Sequence, residues 1–370
     1  MGDHPHAGAP QSADTGLGAA RLSDPADGGR EGGRYQPMFA GAGARRRAYA
    51  RAHPIVSLVA GRTGQGIITL FLVSLVVFAA TQLLPGNAAR AILGFSATPQ
   101  RIRALELELG LNRGWWSQYW GWLSGLPVGR LGASLANSEP VWRLVEPRLL
   151  NSAVLVAVSG VTGSVLGIAL GAVAALRHGS LLDNSMTVGA LAVLAVPEFV
   201  VAIGVVILFS TVVFHLFPGV SLLTPGENIL QAPRLLVLPA LSLTIVTIPY
   251  VYRMTRAATL EALESPYVEM ARLKGVPRWR VLVQHALPNA LPPTIQVVGL
   301  TFLRLAGGIV LVEEVFDFPG IGQGLVNAVT DRDIPVIQFI VVVLAAFYVV
   351  VNITTDVLAL LLSPRRRIPT

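Results

Sequence analysis

The sequence predicts an all-α, polytopic membrane protein, a bundle of six transmembrane helices. Hydrophobic residues make up 53% of the 370 residues, whereas charged residues make up only 13%. A soluble globular domain carries about 25% charged residues. The charge is low because apolar residues are concentrated in long runs, and this pattern is typical of a membrane protein.

Six segments reach the length of a membrane-spanning helix, about 17–25 apolar residues. They cover residues 67–84, 150–176, 186–213, 235–255, 290–312 and 336–362. The second and third are rich in small residues, which let transmembrane helices approach closely, so we expect both to pack inside a bundle. Pro197, Pro239 and Pro249 interrupt the third and fourth segments, either as hinges or as tolerated kinks.

Residues 1–62 are polar, rich in Gly, Ala and Asp, and without an apolar period. Such a composition buries too little surface to offset its ordering entropy, so we expect a disordered N-terminal extension. The transmembrane domain then comprises residues 63–370. The first apolar run begins near Ile67, too far along the chain for a cleavable signal peptide of about 15–30 residues.

The basic residues indicate the orientation of the chain in the membrane. With the N-terminus inside, fifteen Arg or Lys residues from Arg45 onward fall in the inner segments, whereas the two short outer loops hold only Arg234 and Arg332. This bias predicts a multi-pass protein of the plasma or inner membrane with both termini in the cytoplasm. The net charge of +7 therefore favours contact with membrane lipid rather than with nucleic acid.

The first outer loop, about residues 85–149, is long and holds five of the six tryptophans. Trp is common at membrane–water interfaces. We expect this loop to form short helices on the outer membrane surface, and an aromatic site that stacks on substrate is the alternative.

The loop between the fourth and fifth spans, about residues 257–289, contains two short helical patterns. Pro266 suits the first turn of one helix, with Ser265 as its N-cap. Gly275 suits a left-handed C-cap, and Pro277 cannot continue the helix. Tyr267, Ala271 and Lys274 then share one helical face. A short amphipathic helix between two membrane spans requires a partner for its apolar side.

The spacing Glu269-x-Ala271-x-x-x-Gly275, followed by Leu287-Pro288, resembles the EAA motif of ABC importer permeases, and we name residues 257–289 the EAA loop. Met270 and His285 depart from the usual motif. Across residues 67–362 the chain is most similar to the B-type permease of the dipeptide, oligopeptide and nickel importer family. Further matching motifs are Leu84-Pro85-Gly86, Leu109-Gly110-Leu111, Gln118-Tyr119, Arg148-Leu149, Asn151-Ser152, Val312-Glu313, Val315-Phe316 and Pro319-Gly320-Ile321-Gly322.

The resemblance implies a type I ABC importer permease fold, in which the EAA loop forms a coupling helix that docks in a groove of an ATPase subunit. It implies three kinds of partner: a second homologous permease, two ATPase subunits and an extracytoplasmic substrate-binding protein. The residues assigned to ATPase coupling are Tyr267, Glu269, Ala271, Arg272, Lys274, Gly275, Leu287 and Pro288.

The chain itself is not expected to be an enzyme. A P-loop requires Gly-Lys followed by Ser or Thr, and the only lysine, Lys274, is preceded by Leu273. ATP and magnesium would therefore bind the partner ATPases. The chain has no cysteine and its histidines are scattered, so we assign it no cofactor and no metal site.

Glu198 and Arg304 fall within predicted spans, where charged groups normally face the bundle interior or a water-filled path. We assign both to the translocation path, with a structural ion pair between them or exposure to a subunit interface as alternatives. Glu313 lies at the outer edge of the fifth span. We expect it to be solvated and assign it to the same translocation path, where it would shape the outer gate.

The function predicted on these grounds is peptide uptake, with a nickel or glutathione importer on the same scaffold as the first alternative. An ion-coupled secondary transporter would show inverted repeats with broken helices in both halves, and it would leave the EAA loop unexplained. An intramembrane hydrolase lacks support, because we find no Ser/His or paired-Asp arrangement in the spans.

The predicted orientation can be tested directly because the chain contains no cysteine. A single cysteine introduced at Ser363 should react with a membrane-impermeant maleimide only when the cytoplasmic side is accessible. Labelling from outside alone would contradict the predicted topology.

Overall fold

The computed structural model describes residues 54–83, 98–108, 114–223 and 229–362, which are almost entirely helical. Among these residues, an antiparallel bridge between Ala133 and Pro140 is the one isolated β interaction. In chain order the helices are α1 Pro54–Leu83, α2 Pro99–Glu108, α3 Trp115–Gly125, α4 Val141–Leu176, α5 Leu181–Ala195, α6 Glu198–Val206, α7 Pro233–Leu263, α8 Pro266–Leu273, α9 Arg278–Val281, α10 Leu287–Phe316, α11 Ile321–Thr330 and α12 Ile334–Leu362.

Five helical segments in the described part of the chain are long and apolar enough to cross a membrane. They are Val59–Gln82, Val141–Leu176, Pro233–Leu263, Arg278–Phe316 and Ile334–Leu362. The bent pair formed by α5 and α6, the latter extended by a π-helical turn to Thr211, passes the same test when its two halves are taken together. Counting this bent pair as one crossing gives the six that the sequence predicts.

The third crossing is broken at Pro197, one of the three prolines that the sequence predicts to interrupt a span. The segments Leu181–Ala195 and Glu198–Thr211 meet at an angle of 103°. Proline disfavours the helical conformation of the residue before it, and Val196 is accordingly extended. By contrast, Pro239 and Pro249 lie buried inside the uninterrupted α7. Of the three prolines expected to interrupt spans, only Pro197 does so.

The first helix begins earlier than the sequence predicts. It starts at Pro54, so residues 54–62 are helical and the expected disordered extension does not reach residue 62. The rest of that prediction concerns residues 1–53, which lie outside the described residues.

The long first loop contains two short helices, α2 and α3, as expected. Tyr119 on α3 is fully buried against α1, and its hydroxyl lies 2.9 Å from the Ser74 hydroxyl. The Phe78 ring lies 5.4 Å from the Tyr119 ring and 5.8 Å from the Trp122 ring. Helix α3 is therefore held against the first span by an aromatic cluster. The loop ends earlier than predicted, because α4 begins at Val141.

The centre of the bundle is the contact between α4 and α7. Small residues of α4 face α7: a Cβ added at Gly167 would lie 2.7 Å from a Val251 side-chain carbon, and one at Gly171 would lie 2.7 Å from the Tyr252 carbonyl oxygen. This confirms the expected role of small residues for the second span. The third span differs, because Gly189 and Gly204 have no neighbour within 4 Å of an added Cβ among the described residues.

We predict that Gly171→Ala destabilises the chain, because the new methyl group would press on the backbone of α7. Overpacking of this kind costs about 1–3 kcal/mol. Gly189→Ala is the matched control: it is also helical but has open space, and alanine favours helices. In detergent, the melting temperature should fall for Gly171→Ala and stay equal or rise for Gly189→Ala. Equal falls would contradict the close-approach account.

Candidate functional site

Helix α8 of the EAA loop has the boundaries that its sequence predicts. Pro266 occupies its first turn, and Gly275 adopts the left-handed conformation with φ +78°. The Gly275 amide donates to the Arg272 carbonyl at 2.9 Å, which closes the last turn. Ser265 occupies the N-cap position, but its hydroxyl donates to the Ala262 carbonyl instead of capping α8. The loop is thus a short rod with a sharp turn at its end.

The two faces of α8 have different environments. Val268 and Ala271 are buried, and they pack in a cluster with residues at the end of α7 and in α9. Met270 and Leu273 are 59% and 76% exposed, and Tyr267 is partly exposed. Ala271 therefore contacts its own chain rather than an outward surface, whereas Tyr267, one turn away on the same side of the helix, is exposed. The outward apolar face of α8 is instead formed by Tyr267, Met270 and Leu273.

The remaining residues assigned to coupling surround this face. Five of them are exposed: Glu269, Arg272, Lys274, Gly275 and Pro288. Leu287 is half-buried against the same cluster as Ala271. The Asn289 amide donates to the Tyr267 hydroxyl at 2.9 Å and to the His285 carbonyl at 2.8 Å. These bonds tie α8 to the start of α10.

Met270, Leu273 and Asn289 were not selected from the sequence. Met270 and Leu273 could have been recognised, because apolar residues three positions apart share a helical face and so indicate an apolar surface. For Asn289 no local signal exists, since its partner Tyr267 lies 22 residues away.

Glu198 and Arg304 form an ion pair, which was the structural alternative to lining the path. An Arg304 Nη2 hydrogen donates to Glu198 Oε1 at 2.6 Å. The guanidinium also lies over the Tyr250 ring, 3.8 Å from its centroid. The pair joins α6 to α10 directly after the break at Pro197. Tyr250 was missed because an aromatic residue in an apolar span carries no distinguishing pattern.

An open pocket of about 650 Å³ adjoins Arg304 and Tyr250. Thr187, Thr301, Val297 and Leu300 contribute to its lining. Placing a charge at the bilayer centre costs about 2.5–3.5 kcal/mol on insertion scales. A partly exposed pair beside an open pocket is therefore expected to face water or protein rather than lipid.

A second ion pair, Asp183 with Arg256, joins α5 to α7. Two nitrogens of Arg256 donate to the two carboxylate oxygens of Asp183, at 2.6 and 2.8 Å. The Gly179 amide adds a bond at 3.1 Å, and His178 Nδ1 lies 3.2 Å away. Asp183 is fully buried, so this pair fixes the turn between the second and third spans. Asp183 was not predicted as a functional residue, although an acidic residue at the start of an apolar run could have indicated a buried ion pair.

Glu313 is fully buried, not solvated as expected. The Ser152 hydroxyl donates to its Oε1 at 2.5 Å, and the Gln323 amide donates to its Oε2 at 2.9 Å. The Ile321 amide in turn donates to Ser152 Oγ at 2.7 Å. Because these donors satisfy the carboxylate internally, Glu313 holds the start of α11 against α4 and α10 instead of facing water.

Comparison with known proteins agrees with this architecture. Residues 167–368 match the family described as "binding-protein-dependent transport system inner membrane component". Residues 55–156 match the family of the N-terminal part of such membrane components.

Among curated proteins, a putative peptide transport system permease protein of Brucella abortus is 36% identical over 313 residues, 85% of this chain and 99% of the relative. The dipeptide transport system permease protein DppB of Escherichia coli is 32% identical over 337 residues, with coverage of 85% and 99%. A chain of the inward-facing MetNI methionine ABC transporter superposes with a TM-score of 0.51 at 18% identity, over 61% of this chain and 99% of that one. This last likeness shows the fold alone.

The family match covers more than half of the chain, and its N-terminal counterpart covers most of the remaining described part. The spans, the EAA loop and the fold agree with it. The chain therefore belongs to the binding-protein-dependent transport system inner membrane components, as a multi-pass permease subunit of the ABC importer type.

Proposed function

We propose that this permease takes up peptides. The observation that carries the proposal is its identity of 32–36% to permeases named for peptide or dipeptide transport, over nearly their full lengths. It would form the path with a second, homologous permease and receive substrate from an extracytoplasmic binding protein. Two ATPase subunits, which bind ATP and magnesium, would drive the cycle. Both termini would lie in the cytoplasm.

Helix α8 is the proposed contact with one ATPase subunit. Its eight residues make a rod of roughly 12 Å, too short to be stable alone. Its inner face is held by Val268 and Ala271, so the rod moves with the ends of α7 and α9. Its outer face offers Tyr267, Met270 and Leu273. Exposed apolar side chains concentrated on one small surface favour contact with another protein.

The charges around this face would fix the register of docking. Glu269 supplies a carboxylate near the start of α8, whereas Arg272 and Lys274 lie at its end. Charged groups at the rim of an interface guide orientation more than they add affinity. The rod thus presents an apolar centre with an acidic and a basic end.

Movement of α8 has a direct route to the membrane interior. The EAA loop continues into α7 on one side and into α10 on the other. Helix α7 carries Tyr250 and α10 carries Arg304, and the guanidinium of Arg304 stacks on the ring of Tyr250. We therefore keep Glu198 and Arg304 in the proposed path. Glu313 would support the outer end of the path by holding the start of α11 rather than by touching substrate.

The substrate can be tested with the assembled complex in proteoliposomes that contain ATP. We expect ATP-dependent uptake of radiolabelled dialanine in the presence of the binding protein. Uptake of nickel without dialanine would contradict the peptide assignment while leaving the importer assignment intact. Uptake of glutathione, itself a tripeptide, without dialanine would contradict dipeptide uptake alone. Dialanine uptake independent of ATP would contradict coupling to an ATPase.

Gly275→Val tests the coupling role of the EAA loop. A residue with a Cβ is strained at φ +78° by about 1–3 kcal/mol, although the space around Gly275 is open. We expect membrane insertion and pairing with the second permease to survive. Stimulation of ATP hydrolysis by the loaded binding protein should fall clearly below the wild-type level, or the ATPases should fail to copurify.

The matched control for this variant is Gly129→Val. Gly129 also has a positive φ, +75°, and open space, but it lies in the long first loop. Its replacement should leave ATPase attachment and stimulation unchanged. Wild-type attachment with full stimulation in Gly275→Val would show that the loop does not couple in this way.

A further inference from the structure

The ion pair between Glu198 and Arg304 is less completely satisfied than the other intramembrane pair. Asp183 receives bonds from two nitrogens of Arg256 and from the Gly179 amide. Among the described residues, by contrast, the Arg304 guanidinium makes one hydrogen bond, to Glu198. Its remaining N–H groups have no such partner there, although an arginine carries five donors.

Exposure separates the two pairs in the same way. The side chains of Arg304 and Glu198 are 41% and 20% exposed, whereas those of Arg256 and Asp183 are 23% and 1% exposed. The Asp183 carboxylate is thus closed within the bundle, and its pair with Arg256 is structural. The Arg304 pair keeps free donors at an accessible surface inside the membrane segments, which is the arrangement expected of a binding site.

The guanidinium is held in place from its other side. Its stacking on Tyr250 uses the ring face, so the edge with the free N–H groups remains available. The Glu198 carboxylate is similarly positioned, because it lies against the backbone at Gly308, where a Cβ would collide with it. Both charges are therefore fixed before any ligand arrives.

The adjoining pocket has the size and character for a small polar ligand. Its volume of about 650 Å³ lies in the range of small-molecule sites, about 300–1,000 Å³. Beside Arg304 it is lined by Thr187 and Thr301, by the apolar groups of Val297 and Leu300, and by two further arginines, Arg253 and Arg256. Glu198 is not part of this lining and adjoins the pocket through its ion pair with Arg304. Such a lining accepts a peptide main chain together with short side chains.

We propose that Glu198 and Arg304 form a split site for a zwitterionic substrate, which exchanges their mutual ion pair for two new ones. The substrate ammonium binds the Glu198 carboxylate, and the substrate carboxylate binds Arg304, which suits a bidentate contact. This inference rests on the proposed function, peptide import. A ligand with only one charge would leave the other protein charge unpaired, so the site selects ligands that carry both.

The placement of the two residues lets the pair open. Glu198 is the first residue of α6, directly after the 103° break. Arg304 lies on α10, which continues from the EAA loop. A change in the angle between these helices separates the charges, and a substrate that bridges the gap stabilises the opened state.

Exchanging the two charges distinguishes a binding role from a structural one. In the double variant Glu198→Arg with Arg304→Glu, an ion pair can still form, so the complex should copurify with its partners and melt near the wild-type temperature. The polarity of the site is reversed, so ATP-dependent dialanine uptake should fall at least tenfold. Uptake restored to the wild-type rate would overturn the proposal and leave a structural pair.

The matched control exchanges Arg62 and Asp356. This pair has the same separation, 2.6 Å, and comparable exposure, 47% and 25%, but it joins α1 to α12 away from the pocket. Its exchanged variant should keep wild-type dialanine uptake. An equal loss in this control would show that charge exchange harms the fold in general and would overturn the proposal.

Two further outcomes complete the test. If the exchanged complex does not assemble, the isosteric variant Glu198→Gln decides: reduced dialanine uptake at an unchanged melting temperature supports the site, and unchanged uptake overturns it. If the wild-type complex imports nickel but no dialanine, peptide import itself fails. That result would overturn the proposed function. By contrast, a complex that imports dialanine at the wild-type rate after the charge exchange would overturn only the split site.

Discussion

The close contact between α4 and α7 determines where the functional groups of this chain lie. Helix α7 can run unbroken from Pro233 to Leu263 against α4 because glycines remove the side chains that would hold the two backbones apart. Its far end carries the EAA loop, its middle carries Tyr250, and Arg256 binds the turn before α5. A shift of α7 relative to α4 would therefore move all three of these features together.

Much of this fold could be predicted because hydropathy and turn chemistry are local properties. The membrane spans follow from apolar runs, and the end of α8 follows from the positive φ that Gly275 supplies. The three prolines show where such reasoning stops. All interrupt an apolar run in sequence, but neighbouring helices keep α7 continuous through Pro239 and Pro249, while the chain turns at Pro197.

The candidate site was less predictable because burial depends on partners that are distant in sequence. Glu313 and Glu314 are adjacent and chemically identical, yet Glu313 is buried with donors from Ser152 and Gln323, whereas Glu314 is exposed. Similarly, the orientation of Ala271 towards its own chain depends on a cluster with Ala172 and Ala175 of α4 and with other residues of the EAA loop. Sequence spacing identified which residues share a helix, but not which side of that helix faces the core.

The bend in the third span has a consequence for how the protein is made. Helix α5 has 15 residues and extends about 22 Å, which is less than the roughly 30 Å of a hydrocarbon core. Neither half of the bent pair can cross the bilayer alone, and the carbonyl groups that end α5 without a helical donor require protein or water rather than lipid around them. This segment therefore cannot leave the insertion machinery as an independent helix. Its release into the bilayer must be cooperative with the helices that shelter the bend, so biogenesis of this permease depends on tertiary contacts forming during insertion.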